Sequence, residues 1–386
     1  NEIGNLFEVF CKYYYQNEPS VKDEYRNVWL FSEIPPEIKQ NLNLGQIDHG
    51  ADLILEDLDN EYTAIQCKFR SDQNKILNWT ADSLANLLAE GEKCKYKLVF
   101  TNASGLDAHT LKKNVGLVSL NDLLEIEEQT IVNIVNNLEQ RKVHLTKAQP
   151  RNYQTEIINE VCTKFKDRSR GQLILPCGTG KTLVSLWIKE ALNSKVTLVV
   201  LPSLALLRQT KHEWSKNQNM WQHYLCVCSE QNIDIEKDSI VVHEYELGTH
   251  VTTNPEDVHE FLSNYSEQGC IIYSTYQSLK VISEAIANTD IIFELIISDE
   301  AHKTTGSKTT IFGLIHDNVK IPAKRRLYMT ATPRILSKNM KTRLSDDLEY
   351  IADMSNPEIY GHEFYRMSFK TAIEQNILVD YKLLVI

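Results

Sequence analysis

The sequence predicts an α/β protein in two parts, a small mixed sheet with flanking helices followed by a larger, mostly parallel sheet. That expectation rests on three stretches. A short apolar run, Leu173-Ile174-Leu175, leads into Pro176-Cys177-Gly178-Thr179-Gly180-Lys181-Thr182, after which Leu183 to Ala191 carries apolar residues at helical spacing. A second apolar run, Ile291 to Ser298, ends in Asp299-Glu300-Ala301-His302. Upstream, Ala51 to Leu58 and Tyr62 to Phe69 read as strands joined by the turn residues Asp57-Leu58-Asp59-Asn60.

Length and composition bound the possibilities. The 386 residues are enough for about two or three domains. Hydrophobic residues make up 42% and charged residues 24%, an ordinary soluble balance, and no run of about eighteen apolar residues suggests a membrane span. No signal peptide pattern opens the chain, which starts at Asn1 and reads as trimmed. The net charge of −11 argues against a surface that coats DNA, so any nucleic-acid contact is expected in a local groove. The 8 cysteines are scattered, with Cys226 and Cys228 forming a C-x-C but no second pair at zinc spacing, and read as reduced thiols of a cytoplasmic protein.

In chain order, Ile3 to Tyr15 reads as a helix with an apolar stripe through Ile3, Leu6, Phe7, Phe10 and Tyr14. Val28 to Phe31 reads as a strand, followed by a Pro35-Pro36 turn and a short helix. After the hairpin, Thr80 to Ala89 is expected to be helical, with strands at Tyr96 to Thr101 and Val115 to Leu120. Leu123, Leu124, Ile126, Ile131, Ile134 and Leu138 fit one amphipathic helix, and the polar, basic stretch Arg141 to Pro150 follows. The expected domains are therefore 1–120, a helical linker at 121–147, and 148–386.

Chemistry in the first domain centres on Asp52 and the pair Gln66 and Lys68. Period-two geometry puts Gln66 and Lys68 on one face, and a hairpin register can bring Asp52 beside them. A carboxylate, a neutral carbonyl oxygen and a cation are what metal-dependent phosphodiester hydrolysis needs, and Glu8 on the first helix can add a second acid. From spacing alone, an ordinary cross-strand pair of Asp52 and Lys68 is an equal alternative. The stretches Phe7-Glu8, Asp48-His49-Gly50-Ala51-Asp52-Leu53 and Ala64-Ile65-Gln66-Cys67-Lys68-Phe69 resemble the PD-(D/E)xK nuclease fold in its Mrr-like form. The resemblance implies a metal-dependent DNA nuclease with Asp52, Gln66 and Glu8 as ligands and Lys68 beside the phosphate. Gln66 stands where Asp or Glu is usual, a departure that the Mrr-like branch shares.

In the second domain, the Gly178-Thr179-Gly180 loop can turn backbone N–H groups toward a phosphate, with Lys181 reaching the β/γ-phosphates and Thr182 ligating Mg²⁺. Leu175 stands where the general pattern has its first Gly. Asp299 can hold Mg²⁺ through water, and Glu300 is placed to orient or deprotonate the attacking water. Strand-end positions are where such sheets bind ligands. The set resembles the first RecA-like lobe of a superfamily 2 helicase or translocase. Arg151-Asn152-Tyr153-Gln154 resembles the motif whose Gln amide pairs with adenine. Pro202-Ser203 and Ser274-Thr275-Tyr276-Gln277-Ser278 resemble motifs that grip strand phosphates, making Ser203, Thr275 and Gln277 candidates for DNA contact; as single features each also reads as a turn or helix cap. Thr330-Ala331-Thr332-Pro333 resembles the motif that couples ATP state to DNA grip, and His302 reads as a coupling residue. Trp214 and Trp221 read as packing residues, and Lys324-Arg325-Arg326 as a solvated loop before a strand, with phosphate contact as the alternative.

A wider resemblance covers nearly the whole chain. Gln66 to Phe69, Cys177 to Thr182, Val251 to Glu256, Asp299 to Gly306, Ile359-Tyr360-Gly361 through Phe369, Ala372-Ile373 and Asp380-Tyr381 are similar to the nuclease–translocase part of single-polypeptide type ISP restriction–modification enzymes. That resemblance implies ATP and Mg²⁺ as cofactors, double-stranded DNA as partner, restriction of foreign DNA as the role, and a methyltransferase and target-recognition domain beyond Ile386. It also implies slow ATP hydrolysis by residues 1–386 alone, because no second lobe with an arginine finger is seen. Two alternatives stay open: a helicase or remodeller whose first domain binds DNA without cutting it, and an RNA helicase.

Overall fold

The computed structural model describes residues 2–45, 50–72, 76–78, 84–107, 115–139, 147–228, 251–307, 311–335 and 351–380. Contacts divide it into two compact units, one within Asn1–Lys147 and the other from Ala148 onward. Asp48, His49, residues 80–83, the basic stretch 141–146 and Tyr381, which the sequence singles out, lie outside the described residues.

In the first unit, β1 (Tyr25–Leu30), β2 (Leu53–Asp57), β3 (Tyr62–Lys68), β4 (Tyr96–Thr101) and β5 (Gly116–Val118) form one sheet in chain order. β1, β2 and β3 are antiparallel neighbours, whereas β4 and β5 continue parallel to β3. Side-chain alternation divides the core. Leu53 and Leu55 pack with Phe7, Cys11 and Tyr14 of the helix Glu2–Asn17, while Ile54 faces Leu84 and Leu87 on the other side. The helix buries Phe7, Cys11, Tyr14 and Tyr15; Ile3 and Leu6, expected in its stripe, are 53% and 64% exposed. Spacing of four, seven and eight residues from Phe7 defines the face that meets the sheet. In the hairpin turn, Asp57 Oδ1 accepts the N–H groups of Asp59 and Glu61, and Asn60 takes φ 64°.

The expected helix over 123–138 is two helices, Leu120–Leu124 and Glu128–Leu138, because Glu127 takes extended backbone at φ −68°, ψ 147°. Leu123, Ile126 and Ile134 join the core around Phe100, and Asn137 Nδ2 donates to Asn17 Oδ1 at 2.9 Å. Both helices therefore pack as part of the first unit.

The second unit carries β6 (Arg170–Ile174), β7 (Val196–Leu201), β8 (His223–Val227), β9 (Val251–Thr252), β10 (Cys270–Thr275), β11 (Leu295–Ser298), β12 (Gly306–Ser307), β13 (Arg326–Thr330), β14 (Ile351–Ala352) and β15 (His362–Arg366). Eight of these form one sheet in the order β15-β6-β13-β11-β7-β10-β8-β9, with every neighbouring pair parallel. β12 and β14 form a separate antiparallel ribbon. β7, β10, β11 and β13 are buried along their full length, as strands covered on both faces must be. β15 escaped the sequence reading because it is an edge strand whose single buried residue is Phe364. The chain from Val251 to Glu256 supplies β9 and the Asn254 cap of the helix Pro255–Tyr265.

Two basic and aromatic features fall differently from a surface reading. Arg326 is 1% exposed and not a solvated loop residue; its guanidinium donates to the carbonyl of Ile315 at 2.9 Å and to that of Ile321 at 2.5 Å. Burial pushes it down to about 10. Trp214 is fully buried, as a packing residue should be, and its Nε1 donates to the Thr182 carbonyl at 3.0 Å. All 8 cysteines are free thiols. Among the described residues no helix is long and apolar enough to cross a membrane.

At the β15 edge, a Cβ on Gly171 would lie 2.4 Å from the ring of Phe364, itself edge-on to Phe165 at 4.8 Å. Gly171→Ala should therefore lower unfolding free energy by about 1–3 kcal/mol through overpacking, read as a fall in the urea midpoint. The double variant Gly171→Ala, Phe364→Leu should recover part of that loss.

Candidate functional site

Two clusters of chemically active side chains lie in separate units. In the first unit, the register pairing Leu53 with Ile65 places Asp52 level with Gln66, just before β2 begins. The Asp52 Oδ2 accepts the Cys67 N–H at 2.5 Å, which ties the carboxylate to the backbone between Gln66 and Lys68. Gln66 is 3% exposed, and its Oε1 has no hydrogen-bond partner among the described residues. A buried carbonyl oxygen left without a donor is costly unless something positive meets it. Gln66 and Lys68 share one strand face, with Cys67 turned to the other, toward the helix that carries Glu8.

Glu8 lies on that helix, one turn before Cys11. Burial raises the Cys11 and Cys67 thiols, and the charges of Asp52 and Glu8 raise both further. The two carboxylates thus act on one neighbourhood. Among the described residues no group of three or more His, Cys, Asp or Glu is arranged to hold a metal ion.

Supporting contacts here were not foreseen. Glu90 Oε2, at the end of the helix Ala85–Glu90, accepts the Ala51 N–H at 2.7 Å. Gly50 packs so close to Asn86 that a Cβ would fall 2.6 Å from its backbone carbon. Asn102, just after β4, clamps Arg70 through its N–H at 2.6 Å and its carbonyl at 2.8 Å. Thr101 Oγ1 donates to the Lys68 carbonyl at 2.6 Å. No sequence pattern marks these residues, since their role follows from strand neighbours far apart in the chain.

In the second unit, Gly178 and Gly180 take φ 83° and 77°, values that let the loop after β6 curl before the helix Lys181–Ala191. Lys181 Nζ lies 3.4 Å from Glu300 Oε1. Burial pushes the Asp299 carboxyl up to about 6, against the pull of the Lys181 ammonium, while Glu300 adds to the rise. Asp299 Oδ1 accepts the Glu300 N–H at 2.9 Å. Glu300 takes φ 46°, a left-handed conformation that costs a non-glycine residue about 1–2 kcal/mol. Its Oε2 lies 3.3 Å from His302 Nδ1, which in turn is 2.9 Å from Thr330 Oγ1 at the end of β13. Burial holds the His302 ring below its ordinary value, with Glu300 opposing. Lys181, Asp299, Glu300, His302 and Thr330 therefore converge at the carboxyl ends of β6, β13 and β11, three neighbours in the sheet.

Other candidates are placed less simply. Gln154 Nε2 donates to the Thr179 carbonyl at 3.3 Å, and its Oε1 accepts the Arg151 N–H at 2.9 Å, so the amide braces the phosphate-type loop. Tyr153 donates to the same carbonyl at 3.1 Å, and Thr179 Oγ1 donates to the Pro176 carbonyl at 2.8 Å. The Arg151 side chain is exposed. Thr182 is the second residue of the helix Lys181–Ala191 and is half-buried. Ser203 caps the helix Leu204–Asn217, and the buried Thr275 donates to Ser278 Oγ at 3.2 Å, so both hydroxyls serve internal bonds. Gln277 is half-buried.

Comparison with known proteins fits this division. Residues 16–139 match a family model described as "Restriction endonuclease", and residues 147–335 match one described as "Type III restriction enzyme, res subunit". The structure superimposes on "ATP-dependent Type ISP restriction-modification enzyme LlaBIII bound to DNA" with TM-score 0.77 and 27% identity, over 99% of this chain and 25% of that one. A nuclease-deletion mutant of the type ISP enzyme LlaGI, in complex with a DNA substrate mimic, matches over 60% of this chain and 21% of that one, with 30% identity and TM-score 0.47. A protein of African swine fever virus named "Probable helicase A859L" is 29% identical over 62% of this chain and 24% of its own length. The chain spans about a quarter of the length of these relatives. It carries a restriction endonuclease-type domain and a helicase-type domain, and its fold is that of type ISP enzymes.

Gln154→Ala would remove both bonds that brace the loop. It should cost the second unit about 1–2 kcal/mol, measured by chemical denaturation, whereas Asn152→Ala, exposed at the start of the same helix, should change the midpoint little.

Proposed function

We propose that the chain is the nuclease and motor part of an enzyme that uses ATP to travel along double-stranded DNA and cuts it with a separate, Mg²⁺-dependent endonuclease domain, acting against foreign DNA. The observation that carries this reading is the convergence of Lys181, Asp299 and Glu300 at the carboxyl ends of neighbouring strands of the parallel sheet. The matched family models and the DNA-bound type ISP structure give that convergence its context. A methyltransferase and target-recognition domain elsewhere in the protein belong to the same proposal.

In the motor, the Gly178, Thr179 and Gly180 backbone cradles the phosphates and Lys181 neutralises the β/γ-phosphate charge. Thr182 and Asp299 would hold the divalent ion; the Asp299 carboxyl, raised by burial, suits a second positive charge. Glu300 orients the attacking water and takes its proton. Arg151 and Gln154 flank the loop, and adenine binding would draw on the Gln154 amide that now braces Thr179.

In the nuclease, Asp52 and the Gln66 carbonyl would hold the ion, with Glu8, on the helix that packs on the Cys67 face, as the further acid. The unpartnered Gln66 Oε1 is the feature that fits a cation there. Such an ion, when bound, lowers the charge on the scissile phosphate and acidifies a water. Lys68 carries the remaining positive charge and would hold the scissile phosphate from the strand face it shares with Gln66.

A second reading, in which the first unit binds DNA without cutting, is favoured by one observation, the amide in place of an acid at Gln66. Plasmid cleavage by the full-length protein with Mg²⁺ decides between them. Lys68→Ala should reduce cutting at least about 100-fold and leave DNA-stimulated ATP hydrolysis unchanged; equal loss of both would overturn the separation of the two activities. Gln66→Glu should lower the Mg²⁺ concentration at half-maximal cleavage, because an added carboxylate strengthens a site for a hard cation.

A further inference from the structure

We propose that Tyr276 is a positioning residue for Glu300: its hydroxyl holds the peptide group on which the aim of that carboxylate depends. The inference rests on Glu300 acting on the attacking water, as proposed above. Tyr276 follows β10, between Thr275 and Gln277, in the stretch that the sequence assigns to DNA contact. Its ring is fully buried, 5.5 Å from Phe312, and its hydroxyl donates to the Asp299 carbonyl oxygen at 2.8 Å.

That carbonyl belongs to the peptide joining Asp299 to Glu300. The N–H of the same peptide is held by Asp299 Oδ1 at 2.9 Å. Both polar ends of one peptide group are thus gripped, one by Tyr276 and one by the side chain of Asp299. The orientation of this peptide sets φ of Glu300, which stands at 46°. A residue with a Cβ leaves the left-handed region when nothing holds it there. Relaxation to a right-handed or extended value would swing the Glu300 carboxylate away from Lys181 and His302, its present partners.

The two grips are not equivalent. Asp299 is also the carboxylate placed to hold a divalent ion, and an oxygen drawn toward an ion is a weaker acceptor for the Glu300 N–H. Tyr276 has no such second duty. Its hydroxyl is the grip that persists when Asp299 engages a cation, which is when Glu300 must be aimed. Because Tyr276 is flanked by Thr275 and Gln277, a displacement of that loop would reach Glu300 through one hydrogen bond.

Tyr276→Phe removes the hydroxyl and keeps the ring. In the full-length protein, kcat for DNA-stimulated ATP hydrolysis should fall about tenfold while KM for ATP stays within about twofold. Added to Glu300→Gln, the same change should produce no further loss, since there is no base left to aim. A merely structural role would instead lower activity by the same factor in both backgrounds, and that result, or an unchanged kcat, overturns the proposal. A crystal structure of Tyr276→Phe gives a readout independent of activity: Glu300 should leave the left-handed region, and a retained left-handed Glu300 refutes the role of the hydroxyl. Absence of DNA-stimulated hydrolysis in the unsubstituted protein would count against the proposed motor, and the crystallographic comparison would still decide the role of Tyr276.

Discussion

A half-buried carboxylate, Asp299, is the constraint around which the second unit is arranged. A buried anion is tolerated only when cations and hydrogen-bond donors meet it. Parallel strands deliver those partners economically, because every loop leaving a carboxyl end emerges on the same edge of the sheet. β6 leads to Lys181, β13 ends in Thr330 and β11 leads to Asp299 and Glu300, and the three strands are neighbours. The glycine loop lets the Lys181 helix begin close to that edge, and Tyr153 and Gln154 fix the loop from behind. Lys181 and the Glu300 N–H are the groups that favour the charged form of Asp299 against burial, and both are delivered by the strand ends, so fold and site are one requirement in this unit.

In the first unit the Asp52 carboxylate accepts the Cys67 backbone N–H, level with Gln66 on the neighbouring strand. In the proposed nuclease Lys68 would serve a substrate phosphate, and the amide at Gln66 limits the negative charge of the site. With Asp52 and Glu8 the site would hold two formal negative charges, enough to balance one divalent ion; a third carboxylate would leave an excess that repels an incoming phosphate. Weaker ion binding is the expected counterpart. The neutral oxygen of Gln66 is compatible with cutting for this reason, although its charge differs from the usual acid.

Most of the architecture was legible because the informative residues are local. The hairpin at Asp57 to Asn60, the strand Tyr96–Thr101 and the strand Leu295–Ser298 follow from short apolar runs and turn residues. What stayed hidden depends on partners distant in sequence. The buried face of the first helix is chosen by the sheet, which selects Cys11 and Tyr15 and leaves Ile3 and Leu6 in solvent. β15 is too polar to read as a strand alone, yet it pairs with β6 through residues nearly two hundred positions away. Arg326 looks like part of a basic surface run until carbonyls of Ile315 and Ile321 receive its guanidinium inside the core. At the sites, residue types and strand ends were readable, but Glu90, Asn102 and the Tyr276 hydroxyl were not. They act through backbone groups, which the sequence does not distinguish.

The internal engagement of Ser203 and Thr275 bears on how such a motor would hold DNA. A hydroxyl that caps a helix or donates to Ser278 is not free to meet a phosphate without giving up that bond. Grip in this unit would then rest chiefly on backbone N–H groups at the ends of β7 and β10, whose direction these hydroxyl bonds help to fix. A backbone grip reads phosphate spacing and ignores base identity, as movement along arbitrary sequence requires. It also makes affinity depend on loop geometry rather than on side-chain charge. That dependence is consistent with a chain of net charge −11 acting on a polyanion. Loop geometry can change with the nucleotide, whereas a lysine-rich surface would hold the duplex in every state of the cycle and oppose its release.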